Sequence, residues 1–205
     1  MANRKPTYLL KLAILGDKQV GKTSLLARFE HDCFNPTYLH TKGGDITEKL
    51  IEQEKRSLKV TVIDSAGHKY VRSLIKTLYR DVHGIMLVFD VTNRNTFKAL
   101  EKWMTEINVV NAGNPYIVVV ANKTDLQEHS KVPSEEAAIY AARQDLDYIE
   151  CSAKTGLNVT AAFDRLLERA AYNTVPAEPI STSIRLSNGG SKNDMATKKP
   201  CCGGS

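Results

Sequence analysis

Gly16, Gly21, Lys22 and Thr23 stand at the spacing G-x-x-x-x-G-K-[ST] within the stretch GDKQVGKTS. Glycines there let backbone N–H groups close around a phosphate, and a helix beginning at Lys22 turns its positive end toward the same anion. In this pattern Lys22 bridges the β- and γ-phosphates of a nucleoside triphosphate, and the Thr23 hydroxyl binds Mg²⁺. Asp17, Val20 and Ser24 complete the loop, while two long polar side chains, Lys18 and Gln19, occupy its middle. A chance glycine turn is the competing reading. The apolar stretch TYLLKLAILG before the loop and the helical pattern after it favour a phosphate loop.

The loop alone does not select a base. Asn122, Lys123 and Asp125 of NKTD, directly after the apolar run PYIVVVA, do so. The Asp125 carboxylate can accept from both the N1–H and the exocyclic amine of guanine. Adenine offers an acceptor at N1 and no amine at that edge, so the same carboxylate would stay buried and unpaired. Sites built on such hydrogen bonds reject the analogue by about 10⁴–10⁵. Ser152, Ala153 and Lys154, after DYIEC, add the Ala153 backbone N–H for the guanine oxygen. In DSAG, Asp64 closes a strand where it can hold Mg²⁺ through a water, and Gly67 can turn its N–H toward a γ-phosphate.

These residues need a scaffold that brings strand ends together. Apolar runs of strand length (TYLLKLAILG, SLKVTVID, GIMLVFDV, PYIVVVAN, DYIEC) alternate with amphipathic segments. Continuous apolar runs suit strands covered on both faces. Phe97, Leu100, Trp103, Met104, Ile107 and Val110 recur at helical spacing, and so do Val159, Ala162, Phe163, Leu166, Leu167 and Ala170. Pro133 followed by Glu135 and Glu136 opens a further helix. The alternation predicts a three-layer α/β fold with a mainly parallel sheet.

Hydrophobic content of 42% supports a core, and a net charge of +5 with no basic block marks no nucleic-acid surface. The longest apolar runs are too short to span a bilayer. Lys11 splits the first apolar stretch, so it is not read as a signal peptide, and Ala2 excludes N-myristoylation. Cys33 and Cys151 read as inert apolar residues in a reducing compartment. His31, Cys33 and His40 lack metal-ligand spacing. From about Asn173 the chain turns rich in Ser, Asn, Pro, Gly and Lys, and a disordered tail is expected over residues 173–205. Near its end KKPCCGGS presents Cys201 and Cys202.

Over residues 7–172 the sequence resembles the small GTPases of the Ras superfamily, with GTP or GDP and Mg²⁺ as ligands. GIMLVFDVTNRNTFKALEKWMTEI, LYR and the paired cysteines resemble the Rab branch. The resemblance implies a P-loop GTPase domain with a six-stranded sheet and five helices, and nucleotide at the strand C-termini. It implies that Phe34 packs on the guanosine, Tyr38 closes over the phosphates, and Thr41 binds Mg²⁺ in the GTP state. It further implies geranylgeranyl groups on Cys201 and Cys202, and a place on the cytoplasmic face of endomembranes with a cytosolic pool. The implied partners are an exchange factor, a GTPase-activating protein, a prenylation escort, a GDP-dissociation inhibitor and effectors.

Three departures bear on activity. His68 follows Gly67 where the family usually has glutamine, which orients the attacking water; an imidazole does this poorly. Lys18 stands where the family keeps glycine or a small residue. The switch reads KGGDI after Thr41, with Ile46, Ile63 and Leu78 replacing larger or different apolar groups on an expected effector surface. The leading expectation is a Rab-like switch with slow GTP hydrolysis, regulating vesicular traffic. A hydrolysis-deficient, GTP-locked scaffold is the alternative, and NKTD with SAK disfavours an ATP-dependent kinase or ATPase.

Overall fold

The computed structural model describes residues 7–36, 44–52, 57–65, 80–111, 113–172 and 174. Among them are six strands, β1 (Thr7–Leu15), β2 (Gly44–Glu52), β3 (Ser57–Ser65), β4 (Gly84–Asp90), β5 (Tyr116–Asn122) and β6 (Asp147–Glu150). Five α-helices accompany them: α1 (Lys22–His31), α2 (Arg94–Lys98), α3 (Leu100–Val110), α4 (Ser134–Arg143) and α5 (Val159–Tyr172). A 3₁₀ helix covers Thr124–His129. The strands form one sheet in the order β2-β3-β1-β4-β5-β6. All neighbours are parallel except β2 and β3, which pair antiparallel.

The continuous apolar runs are explained by burial on both faces. In β4 every residue is buried, and the pleat sends alternate side chains to opposite layers. Met86 and Val88 join one core with Leu12, Ile14, Val118, Val120 and residues of α1 and α5. Ile85, Leu87 and Phe89 join the other with Ala13, Leu15, Val119 and residues of α2, α3 and α4. Each core is anchored by aromatic contacts. Phe29 of α1 stacks on Phe163 of α5 with centroids 4.1 Å apart. Phe97 meets Phe89 edge-on at 5.1 Å and Tyr140 at 5.5 Å.

The apolar spacing from Phe97 to Val110 reads as one helix, yet the structure divides it at Ala99. Asn93 caps α2 by accepting from the Asn95 N–H, and the Asp90 N–H donates to the Thr96 hydroxyl, so this turn is tied to the end of β4. Arg94 forms a bidentate pair with Glu136 at 2.5 Å, fastening α2 to α4.

At the opposite end of the sheet, His83 precedes β4. Its Nδ1 accepts from the Lys11 N–H at 3.0 Å, and its own N–H donates to the Lys11 carbonyl at 2.8 Å. Burial pushes the imidazole pKa below its ordinary 6.5, and the positive charge of Lys11 acts in the same direction. A folded-state pKa below the unfolded one means that the unfolded chain takes up the proton first. The stabilisation is complete above the unfolded value and is lost as pH falls through the folded one. Denaturant midpoints of the protein should therefore fall between pH 7.5 and pH 5.5. The fall should be shallower in His83→Asn; an equal fall in both proteins would remove His83 as its source.

Candidate nucleotide site

The loop after β1 is shaped as much by the protein around it as by any ligand. Gly16 has φ +142°, and a Cβ there would lie 2.2 Å from the Val88 carbonyl oxygen. Gly21 has φ +94°, and a Cβ there would lie 2.3 Å from Asn122 Nδ2. Backbone and a buried side chain thus forbid any larger residue at both positions. Between them Val20 is fully buried, while Lys18 and Gln19 are exposed. Gln19 adopts φ +66°, a left-handed conformation costing a non-glycine residue roughly 1–2 kcal/mol.

Lys22 is only 6% exposed, and its ammonium donates to the Gly16 and Asp17 carbonyls at 3.0 and 2.9 Å. The side chain so curls back over the loop and places a cation in its concavity. The first turn of α1 carries neither a side-chain cap nor an acidic residue. Its positive end therefore suits an anion, and this chemistry fits a polyphosphate. Thr23 lies in the same turn. Asp17 turns toward α3, where its Oδ1 accepts from the Trp103 indole N–H at 3.1 Å.

The residues of NKTD and SAK gather beside this loop. Asn122 ends β5 and is 1% exposed. Its Nδ2 donates to the Val20 carbonyl at 2.8 Å, and its Oδ1 accepts from the Ala153 N–H at 3.1 Å. One carboxamide thereby fixes the phosphate loop and the loop after β6 relative to each other. Asp125 Oδ1 accepts from the Ser152 hydroxyl at 2.7 Å, and its Oδ2 lies 3.8 Å from the Lys154 ammonium. Ser152 is fully buried and also accepts from the Thr155 N–H at 3.1 Å, which makes the hydroxyl a rigid support for the carboxylate. Phe34 is half-buried against the core that contains Ala153 and Cys151.

Asp90, Trp103 and Thr124 also belong to this neighbourhood, although the sequence reading gave them no part in the site. Lys123 has φ +68° and pairs with Asp90 at 2.6 Å; Asp90 also accepts from the Thr92 N–H and hydroxyl. Asp90 lies opposite Asn122 in the register of β4 and β5, so a polar residue closing an apolar run was the available signal. Trp103 sits at a core position of α3, and its helical spacing conceals the indole N–H that reaches Asp17. Thr124 donates through both its N–H and its hydroxyl to the Cys151 carbonyl, tying β5 to β6 beyond their last ladder pair.

Tyr38, Thr41, Gly67, His68, Leu78, Cys201 and Cys202 lie outside the described residues. Asp64 is placed by its backbone in β3, paired with Ile14 of β1, and Ile46 lies in β2 opposite Ile63. Ile63 corrects the sequence reading: it is 1% exposed and cannot present its side chain to an effector. Along β3 it alternates with Val62 and belongs to an interior face, which the motif-level comparison overlooked. Cys151 is buried and its thiol is pushed up to about 12, consistent with an inert residue.

Asn122→Ala should leave the buried Val20 carbonyl and Ala153 N–H without partners. At about 1–3 kcal/mol for each group, the expected loss is roughly 2–6 kcal/mol of stability. Equilibrium unfolding in urea measures it; a change below about 0.5 kcal/mol would mean that the two loops hold each other by other means.

Sequence relatives agree with this geometry. A sequence model of the Ras family matches residues 11–172. The chain is 35% identical to Ras-related protein Rab-3B of Bos taurus over 188 residues, covering 88% of this chain and 86% of that one. It is 33% identical to Ras-related protein RABD2a of Arabidopsis thaliana over 98% of each chain. It is also 39% identical to Ras-related protein Rab-7b of Bos taurus, over 94% of this chain and 96% of the other. A glycine-rich loop and the loop after β6 joined by one asparagine, in a six-stranded sheet of this order, accord with these likenesses: the chain belongs to the Ras family, as a Rab-like small GTPase.

Proposed function

We propose that the domain spanning residues 7–172 is a guanine-nucleotide switch that holds GTP or GDP and hydrolyses GTP slowly, and that residues 173–205 tether it to a membrane. The observation that carries this reading is the double hydrogen bond of Asn122, which ties the phosphate loop to the Ala153 loop, whose Ser152 in turn supports Asp125. In this reading the backbone from Gly16 to Ser24 wraps the phosphates, and Lys22 meets the charge that builds on them. Asp125 reads the N1–H and amine of guanine while Ser152 and Lys154 steady it. The Ala153 N–H is shared between Asn122 and the guanine oxygen. When bound, Mg²⁺ supplies charge neutralisation at the phosphates, and Thr23, Thr41 and Asp64 are the residues to hold it. Phe34 and Tyr38 cover the nucleotide, and the Gly67 N–H faces the γ-phosphate.

The slow rate follows from two side chains. Lys18 projects from the middle of the phosphate loop, where it obstructs the water-positioning residue and any arginine supplied by a partner. Such an arginine is worth about 10³–10⁵ in rate, so blocked access outweighs the weaker positioning by His68. Lysine is a flexible, hydrated point charge and does not replace the planar fork of arginine.

Prenyl groups on both Cys201 and Cys202 would anchor the chain durably, since a single lipid gives only marginal binding. No helix among the described residues is long and apolar enough to cross a membrane. The biological role on this reading is regulation of vesicular traffic from the cytoplasmic face of endomembranes, with a cytosolic pool. An exchange factor, a GTPase-activating protein, a prenylation escort, a GDP-dissociation inhibitor and effectors would be its partners. The other reading, a GTP-locked scaffold, draws on the same Lys18 and His68.

Nucleotide extracted from purified protein should be GDP or GTP; a bound adenine nucleotide would end the guanine reading. In single turnover, unaided hydrolysis should run at or below about 10⁻⁴ s⁻¹. Lys18→Ser or His68→Gln should raise it several-fold. Rapid cleavage by the unaltered protein would refute the slow switch, and no GDP after a day would favour the scaffold. Mass spectrometry of protein from its native cell should find both terminal cysteines prenylated.

A further inference from the structure

We propose that Arg28 is a positioning residue that sets how fast bound nucleotide leaves, by latching the segment after α1 to the base-reading loop. The proposal rests on the guanine-nucleotide reading above. Arg28 lies in the last turn of α1, with its side chain 16% exposed. Its Nε donates to the Ala153 carbonyl at 3.0 Å and its Nη2 to the Lys154 carbonyl at 2.8 Å. Its Nη1 donates to the Asp32 carbonyl at 2.8 Å and to Asp32 Oδ1 at 2.9 Å. One guanidinium thereby joins chain segments more than 120 residues apart in sequence, with separations of 125 and 126 to the two loop carbonyls.

The geometry gives this latch a specific consequence. The Ala153 peptide is held from both sides, its N–H by Asn122 and its carbonyl by Arg28. Asp32, in a left-handed conformation at the end of α1, is held by the Arg28 side chain and by its own N–H to the Arg28 carbonyl at 3.0 Å. Two residues later Phe34 packs against the core that contains Ala153. For guanine to leave, the Phe34 segment and the Ala153–Lys154 loop must separate. Arg28 spans both, so parting them breaks charge-assisted hydrogen bonds, which are stronger than neutral ones. A merely structural role is the competing account, because a cation in the last turn of a helix is favourable wherever it points. Lysine would keep that charge and lose the fork, so Arg28→Lys separates the two accounts.

The test uses the full chain loaded with N-methylanthraniloyl-GDP and Mg²⁺ and chased with unlabelled GDP. Arg28→Ala and Arg28→Lys should each raise the dissociation rate at least about tenfold, with the association rate within about threefold of the unaltered protein. Asp32→Asn replaces the carboxylate with a neutral amide that the left-handed backbone also accepts, and should raise it by about threefold or less. That change should vanish in the Arg28→Ala background. Should Arg28→Ala fail to fold, folded Arg28→Lys still decides the matter. An unchanged dissociation rate in folded Arg28→Lys, or equal changes in both rates, would overturn the latch. If the unaltered protein binds GDP tightly, such a failure belongs to Arg28 alone. If it binds no GDP, the guanine reading falls and the latch with it.

Discussion

A single buried carboxamide organises the site. Asn122 has one donor and one acceptor face to spend in a place that water does not reach, and both are spent on backbone of other loops. Aspartate would set a second acceptor against the Val20 carbonyl. Glutamine would add a methylene where Gly21 already leaves no room for a Cβ. The second glycine of the phosphate loop and the asparagine of NKTD are therefore one packing unit, although 101 positions separate them in sequence. The glycine-rich loop and the loop after β6 cannot drift apart while that unit is intact.

Around it, the site's cations are assigned to oxygens of the protein itself. Lys22 serves the loop carbonyls, Lys123 pairs with Asp90, and Lys154 stands beside Asp125. A ligand therefore meets side chains already restricted in rotamer, and less of its binding energy goes into ordering them. The same assignments link strand ends: Asp90 closes β4, Asn122 closes β5, and the loop after β6 receives both Asn122 and Thr124.

Much of this was legible in the sequence because it depends on local patterns. Apolar runs such as GIMLVFD announce strands covered on both faces, and the structure divides their alternate residues between two cores. The motifs fall at strand ends because turns there expose backbone N–H groups. What stayed hidden depends on side-chain reach. Trp103 is both a core residue and a hydrogen-bond donor, and spacing reports only the first role. Ala99 divides a periodic stretch where Asn93 and Thr96 bond back toward the end of β4, a matter of local polar contacts that apolar periodicity does not encode. Ile63 was read as surface because motif alignment compares residue types and ignores the pleat that turns it inward.

The same distinction accounts for Lys18 and Gln19 in a loop otherwise built of constraint. At Gly16 and Gly21 the protein's own atoms stand where a side chain would go, so the fold itself demands glycine before any ligand arrives. At positions 18 and 19 the side chains are exposed. Gln19 bears a backbone cost from its left-handed φ, but neither residue disturbs the packing of the loop on Asn122. The fold thus tolerates bulk there, and the consequences fall on whatever occupies the space outside the loop. Apart from the backbone cost at Gln19, side-chain bulk at these two positions is therefore left open by the packing that fixes the rest of the loop.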